Sequence, residues 1–148
     1  MLYLQFYLDE YRYVLPTSDV VEIIPEIKLT PVPKVPEYIK GIVNYRGQSV
    51  PVIDLSSLYL DRPCSNKLSS RIILIMVNDN KGKDQIIGLL VEKATETIKV
   101  KKESFMESGI HSSDAPCLGP VISDERSFIT LISPQEIFCH IDSGLIFP

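Results

Sequence analysis

Residues 36–55 read PEYIKGIVNYRGQSVPVIDL, and this stretch carries the strongest structural signal in the chain. Two apolar runs, at 42–43 and 50–53, flank the segment from Asn44 to Gly47. Gly47 can adopt the positive φ that a hairpin loop of three to five residues usually requires. The pattern therefore predicts a β-hairpin with one charged side chain, Arg46, at its tip. A stiff hairpin can hold a guanidinium outward to bind a carboxylate on another macromolecule, which indicates binding rather than catalysis.

Short strands are predicted over much of the remaining chain. Apolar runs separated by turn residues predict three further hairpins, at 2–15, 71–91 and 121–132, and a weaker strand at 94–100. Many short strands with little helix favour small barrels, because a closed barrel leaves no exposed sheet edge.

Two short helices are expected directly after hairpins. Asp54 is placed to cap one of them, and Ser133 opens a capping box with proline at the first helical position of the other. The order of hairpin and cap occurs twice, from Gly41 to Asp54 and from Gly119 to Ser133. This repetition suits two similar lobes that arose by duplication.

The segment before the Arg46 hairpin combines an apolar run with several prolines. Residues 20–24 are expected to form one or two helical turns, with Glu22 on this element or just after it. Residues 25–36 contain prolines that disfavour regular hydrogen bonding, so we expect an ordered, extended connector.

Composition and charge narrow the function classes. The chain has 148 residues, is 45% hydrophobic and carries a net charge of −4, which suits one domain with a substantial core. An acidic protein has no basic field for nucleic acid. No apolar run approaches the ~20 residues of a membrane span, and Met1 leads directly into a strand pattern, so we expect a cytoplasmic protein. Cys64, Cys117 and Cys139 form an odd, widely spaced set, which indicates reduced thiols.

Candidate catalytic groups are few. His111 and His140 lack the partner spacing of a metal site or a catalytic triad. A Cys117 and His111 pair, acting as a cysteine-dependent hydrolase, is the enzyme alternative, whereas the adjacent Cys139 and His140 would point to different sides of their element. We expect no catalytic residue, metal site or cofactor. A generic SH3-like peptide or nucleic-acid module and a self-associating barrel remain further alternatives.

Taken together, these motifs resemble the CheW-like family, the coupling proteins of bacterial chemosensory arrays. The matching segments, in chain order, are 21–23, 32–33, 36–44, 46–47, 50–55 and 88–91. The resemblance covers nearly the whole chain and implies a single domain over 1–148 that is mainly β. It implies two intertwined five-stranded SH3-like barrels with short helices, in lobes of approximately 4–69 and 70–141, with the first strand crossing between them.

The resemblance also implies a non-catalytic adaptor. Family members bridge the regulatory domain of a CheA-type histidine kinase to the cytoplasmic tip of a methyl-accepting receptor, at membrane-associated arrays and without inserting into the membrane. Arg46 matches the arginine of the family's Asn-x-Arg-Gly turn, to which Asn44 and Gly47 belong. Glu22 matches the glutamate of its Val-x-Glu-Ile motif. Both charged residues are associated with receptor coupling and could form an ion pair, whereas the residues that bind the kinase are not identified.

Some positions depart from the commonest family pattern. Tyr45 stands where leucine is usual, and Gly119 and Pro120 precede the last hairpin. Together with residues 59–63, 94–97 and 118–121, these features look more like the couplers of Wsp-type pathways, whose kinases drive cyclic-di-GMP synthesis rather than flagellar switching. A Wsp-type output is therefore the alternative to a motility array.

Overall fold

The computed structural model describes residues 1–65, 67–79, 81–110 and 119–141, and only the backbone of Thr95, Cys139 and His140. The strands within these residues are β1 (Leu2–Leu8), β2 (Tyr11–Pro16), β3 (Val20–Pro25), β4 (Ile39–Tyr45), β5 (Gln48–Asp54), β6 (Arg71–Asn78), β7 (Asp84–Val91), β8 (Lys93–Lys99), β9 (Val121–Ser123) and β10 (Phe128–Leu131). Helix α1 (Leu55–Leu60) follows β5, and helix α2 (Pro134–His140) follows β10. Single 3-10 turns occur at Thr17–Asp19 and Lys102–Ser104.

The strands form two five-stranded sheets with the same pairing pattern. Sheet 1 has the order β8-β1-β2-β10-β9, and sheet 2 has the order β3-β6-β7-β5-β4. Each sheet contains one parallel pair, β2 with β10 and β5 with β7, among otherwise antiparallel pairs. The predicted architecture of two similar, intertwined β units with short helices is confirmed.

The two sheets exchange their central strands. Sheet 1 combines β1 and β2 with β8 to β10, and sheet 2 combines β6 and β7 with β3 to β5. The order β1 to β5 therefore repeats as β6 to β10, and each repeat gives its first hairpin to the other sheet. The lobes 4–69 and 70–141, with the first strand crossing between them, stay a prediction.

An apolar core joins the two sheets. Its largest cluster contains Phe6 and Leu15 from sheet 1, Ile73 and Leu89 from sheet 2, and Phe138 from α2, all buried. A separate cluster, which we call the sheet 2 cluster, consists of Val43, Val50, Val52, Cys64, Ile72, Leu74 and Leu90. Because the largest cluster takes side chains from both sheets, the two sheets share the main part of their apolar core.

The prediction of helical turns at residues 20–24 is wrong. This segment is strand β3, which pairs antiparallel with β6 and places Glu22 opposite Leu74. Four of its five residues are valine or isoleucine, which lose side-chain freedom in a helix and pack well on a sheet. Val21 and Ile23 are exposed and their neighbours are partly buried, as alternation along an edge strand requires.

The two predicted helix caps differ. The Asp54 cap is confirmed, because its Oδ1 accepts a hydrogen bond from the backbone N–H of Ser57 at 3.2 Å. Ser133 is the residue before α2, but its side chain donates or accepts no capping bond within the described residues. The side-chain amide of Gln135 instead bonds to both the N–H and the C=O of Asn78, at 3.0 and 3.1 Å. These two bonds attach α2 to the end of β6.

Candidate functional site

The tip of the β4–β5 hairpin is a tight two-residue turn. Tyr45 pairs with Gln48, so only Arg46 and Gly47 lie between the strands, and the predicted loop of three to five residues is too long. Both turn residues have positive φ, 51° and 82°, as in a type I′ turn, whose twist matches that of the strands. Asn44 Oδ1 accepts a hydrogen bond from the backbone N–H of Gly47 at 2.8 Å, so Asn44 braces the turn.

The base of this hairpin is attached to the connector that follows β3. Thr30 and Ile42 exchange two backbone hydrogen bonds, at 3.0 and 2.9 Å. Gly41 has φ 151°, and a Cβ placed on it would lie 2.6 Å from the carbonyl oxygen of Thr30. The buried side chains of Val43 and Val50 fix the hairpin from the other side. The hairpin is therefore a firm support for its tip.

Arg46 and Glu22 form the ion pair that the resemblance to the family suggested. Arg46 Nη2 lies 3.6 Å from Glu22 Oε1, and the two side chains are 76% and 40% exposed. Glu22 lies on β3 and Arg46 follows β4, and these strands are the two edges of sheet 2. The ion pair thus connects two edge strands that are not hydrogen-bonded to each other.

This ion pair leaves the arginine available to a partner. A separation of 3.6 Å exceeds hydrogen-bond length, and an exposed pair of this kind contributes ~0–1 kcal/mol to stability. Within the described part of the chain, the Arg46 guanidinium donates no hydrogen bond. Its five N–H donors can therefore bind a carboxylate in two-point geometry.

Tyr45 belongs to the same site, although sequence analysis noted it only as a departure from the family pattern. The Cζ atom of Arg46 lies 5.2 Å from the centroid of the Tyr45 ring, within cation–π range. The Tyr45 side chain is partly buried and packs against the sheet 2 cluster. The adjacency of an aromatic and an arginine at a tight turn was the available sequence signal.

A second charged cluster, which sequence analysis missed, holds sheet 1 together. Arg12 on β2 is buried and donates two hydrogen bonds to Asp124, at 2.5 and 2.7 Å, and one to Ser127 Oγ at 2.7 Å. The hydrogen bonds from Arg12, then those from the turn backbone, hold the pKa of Asp124 well below its usual range. The cluster fixes the turn between β9 and β10 against β2, and its role is structural.

Cys64, whose side chain lies within the described residues, is poorly suited to nucleophilic chemistry. Cys64 is buried in the sheet 2 cluster, and burial, with nearby carboxylates, raises the pKa of its thiol to about 12. A thiol is reactive as the thiolate, which this site disfavours. Cys117 and His111 lie outside the described residues, as do the side chains of Cys139 and His140. The cysteine-hydrolase alternative is therefore untested.

The described residues also bear on metal binding and on membrane insertion. Residues 1–65, 67–79, 81–110 and 119–141 contain no group of three or more His, Cys, Asp or Glu side chains that could hold a metal ion. Among the same residues, no helix combines the length and apolar character needed to cross a bilayer.

Comparison with known proteins gives consistent matches. A family model described as "CheW-like domain" matches residues 2–142. The chemotaxis protein CheW of Helicobacter pylori is 28% identical over 100 residues, which cover 68% of this chain and 58% of that protein. The chemotaxis protein CheW of Thermotoga maritima is 26% identical over 102 residues, which cover 69% of this chain and 64% of that protein. The matched region thus spans less than two thirds of each of these relatives.

A solved structure matches over almost the full length. The scaffolding protein TtCheW from Thermoanaerobacter tengcongensis superposes with a TM-score of 0.81 at 27% identity, covering 97% of this chain and 89% of that one. This match confirms the expected fold class. None of these four matches bears on a Wsp-type output, which stays a prediction. On the family match over residues 2–142 and the similarity to TtCheW, the chain belongs to the CheW-like domain family.

Proposed function

We propose that this protein is a non-catalytic adaptor that couples methyl-accepting chemoreceptors to a CheA-type histidine kinase in bacterial chemosensory signalling. The proposal rests on Arg46, an exposed arginine at a hairpin tip that the Asn44 to Gly47 hydrogen bond stabilises, in a chain that belongs to the CheW-like family. The relatives described above are named as chemotaxis proteins, and TtCheW is described as a scaffolding protein. The protein acts in the cytoplasm at membrane-associated arrays.

The receptor-coupling surface consists of Arg46, Glu22, Asn44 and Gly47. Arg46 binds a carboxylate on the helical receptor tip, because its guanidinium is 76% exposed and holds Glu22 only at 3.6 Å. Glu22 keeps the guanidinium near the β3 edge and accepts donors from the partner. Asn44 and Gly47 act indirectly by fixing the turn.

The kinase binds a different part of the surface, whose residues are unassigned. One lobe packs against a similar barrel in the regulatory domain of the kinase. Such transient interfaces commonly bury ~1,200–2,000 Å², and repeated contacts in an array strengthen modest pairwise affinities by avidity. In the Wsp-type alternative, the same two surfaces serve a pathway that controls cyclic-di-GMP. Its basis is the sequence at Tyr45 and at residues 59–63, 94–97 and 118–121.

The test is a titration of the purified protein with two sets of partners from its own organism. These are the regulatory domain of each CheA-type kinase and tip fragments of its chemoreceptors. Arg46→Glu should weaken receptor binding by at least about tenfold and leave kinase binding unchanged, because only the receptor surface contains this charge. Arg126→Glu is the matched control, since it makes the same charge change at an exposed residue of another hairpin turn.

Two outcomes would contradict the proposal. One is the absence of binding to any of the kinase domains. The other is a receptor affinity that Arg46→Glu and Arg126→Glu change equally, which would show an effect of net charge alone. Circular dichroism and a cooperative thermal transition for Arg46→Glu establish that the fold is intact, because a loss of cooperative unfolding would make the residue structural.

A further inference from the structure

We infer that Tyr45 is a positioning residue of the coupling surface, whose ring restrains the Arg46 guanidinium in the orientation that receives a partner carboxylate. The restraint itself is a property of this chain alone. Its consequence for affinity rests on the proposed function.

The guanidinium is restrained from two different strands. Tyr45 ends β4, and its ring centroid is 5.2 Å from Arg46 Cζ. Glu22 lies on β3 and approaches Arg46 Nη2 to 3.6 Å. The glutamate contact is too long for a hydrogen bond and is open to screening by salt. The contact between the guanidinium and the uncharged Tyr45 ring depends less on salt than the contact with Glu22 does.

The Tyr45 ring is itself held in place. It packs against the sheet 2 cluster, and its backbone pairs with Gln48 at the last position before the turn. Arg46 has φ 51° at the next position, and the Asn44 to Gly47 hydrogen bond fixes this turn. A fixed backbone and a fixed ring together limit the region that the guanidinium can occupy.

A restrained arginine binds better than a free one. Binding a carboxylate immobilises a side chain with many rotamers, and restraint before binding lowers that entropic cost. A planar guanidinium that lies over a ring can keep its N–H edge available, so the contact with Tyr45 is compatible with bidentate binding. Leucine at position 45 could fill the apolar contact but would offer no π face. The partner group is therefore a carboxylate that accepts two N–H donors, as on an acidic position of a helical receptor tip.

The first experiment needs no partner. In protein labelled with ¹⁵N-arginine, the Hε and δ protons of Arg46 should show an upfield ring-current shift, with the signals assigned from Arg46→Lys. Tyr45→Phe keeps the ring and should keep the shift, whereas Tyr45→Leu should lose it. Backbone ¹H–¹⁵N spectra and thermal midpoints of both variants report whether the fold is unchanged. Identical Arg46 signals in the parent protein and Tyr45→Leu would overturn the inference.

The second experiment measures the consequence for binding. Tyr45→Leu should raise the Kd for a receptor tip fragment about two- to five-fold, and Tyr45→Phe should restore it, since exposed cation–π contacts are of this strength. Equal affinities of the parent protein and Tyr45→Leu would refute the role in binding. If the parent protein binds no receptor fragment, the proposed function and the partner assigned here both fail. The ring-current measurement still decides whether Tyr45 restrains Arg46.

Discussion

Replacement of Gly41 by alanine should strongly destabilise the protein, for a reason that lies in the connector rather than in the hairpin. The new Cβ would sit 2.6 Å from the Thr30 carbonyl oxygen, a distance that requires backbone movement. A φ of 151° costs a residue with a Cβ ~1–3 kcal/mol. Loss of the two hydrogen bonds between Thr30 and Ile42 adds about 1 kcal/mol each. The expected loss of unfolding free energy is about 3–5 kcal/mol.

Gly47→Ala is the matched control within the same hairpin. Gly47 also has positive φ, 82°, but no atom lies within 4 Å of the position that its Cβ would occupy. Its substitution therefore carries only the cost of the left-handed backbone, about 1–2 kcal/mol. The difference between the two variants isolates the contact with the connector.

Urea unfolding followed by circular dichroism measures both values. With a slope of about 2 kcal/mol per molar urea, the midpoints of the two variants should differ by about 1 M. The slope should be the same for both, because the folded state remains compact. Equal midpoints would refute the reasoning, since the close approach of Thr30 would then not be what requires glycine at position 41.

Two further predictions concern contacts between distant segments. The depressed pKa of Asp124 contributes stability that is present above the unfolded pKa of about 4 and is lost as pH falls toward the lower folded value. The Asp124→Asn variant leaves Arg12 without its anion, so it should be less stable than the parent protein at pH 7 and should lose less unfolding free energy as the pH falls. Urea midpoints measured between pH 7 and pH 2 test this. Midpoints that fall equally with pH in the two proteins would contradict it. Gln135→Ala removes both bonds to Asn78 and should cost about 1–2 kcal/mol, whereas the exposed Glu136→Ala should be nearly neutral, and equal urea midpoints for the two would count against the link.

The sequence predicts those parts of the fold that are set by neighbouring residues. The hairpin from Gly41 to Asp54 follows from apolar runs, a turn glycine and a capping carboxylate, and all of these act within a few positions. The sequence pattern predicts helical turns at 20–24, where the structure has a strand, because a short β-branched run has no clear period. Its correct state depends on pairing with β6, about fifty positions further along the chain.

The candidate site shows the same limit. Arg46 could be placed at an exposed tip from its local pattern, but Glu22 entered only through the resemblance to a family. The ion pair joins two edges of one sheet, so the proximity of the two side chains depends on the tertiary structure rather than on local sequence. The Arg12 and Asp124 pair was missed because 112 positions separate the partners. The contact between Tyr45 and Arg46 depends on side-chain rotamers, which the sequence does not specify.

The exchange of hairpins between the sheets dictates when each half of the molecule can form during synthesis. Sheet 1 pairs the first strands of the chain with the last, and its Arg12 and Asp124 are 112 positions apart. At about 5–20 residues per second, a ribosome needs roughly 6–22 s to travel between them. The opening hairpin therefore waits without its final neighbours until strands β9 and β10 have been synthesised. Sheet 2 needs only residues up to 91, so it can assemble first and act as the template on which the rest of the chain closes.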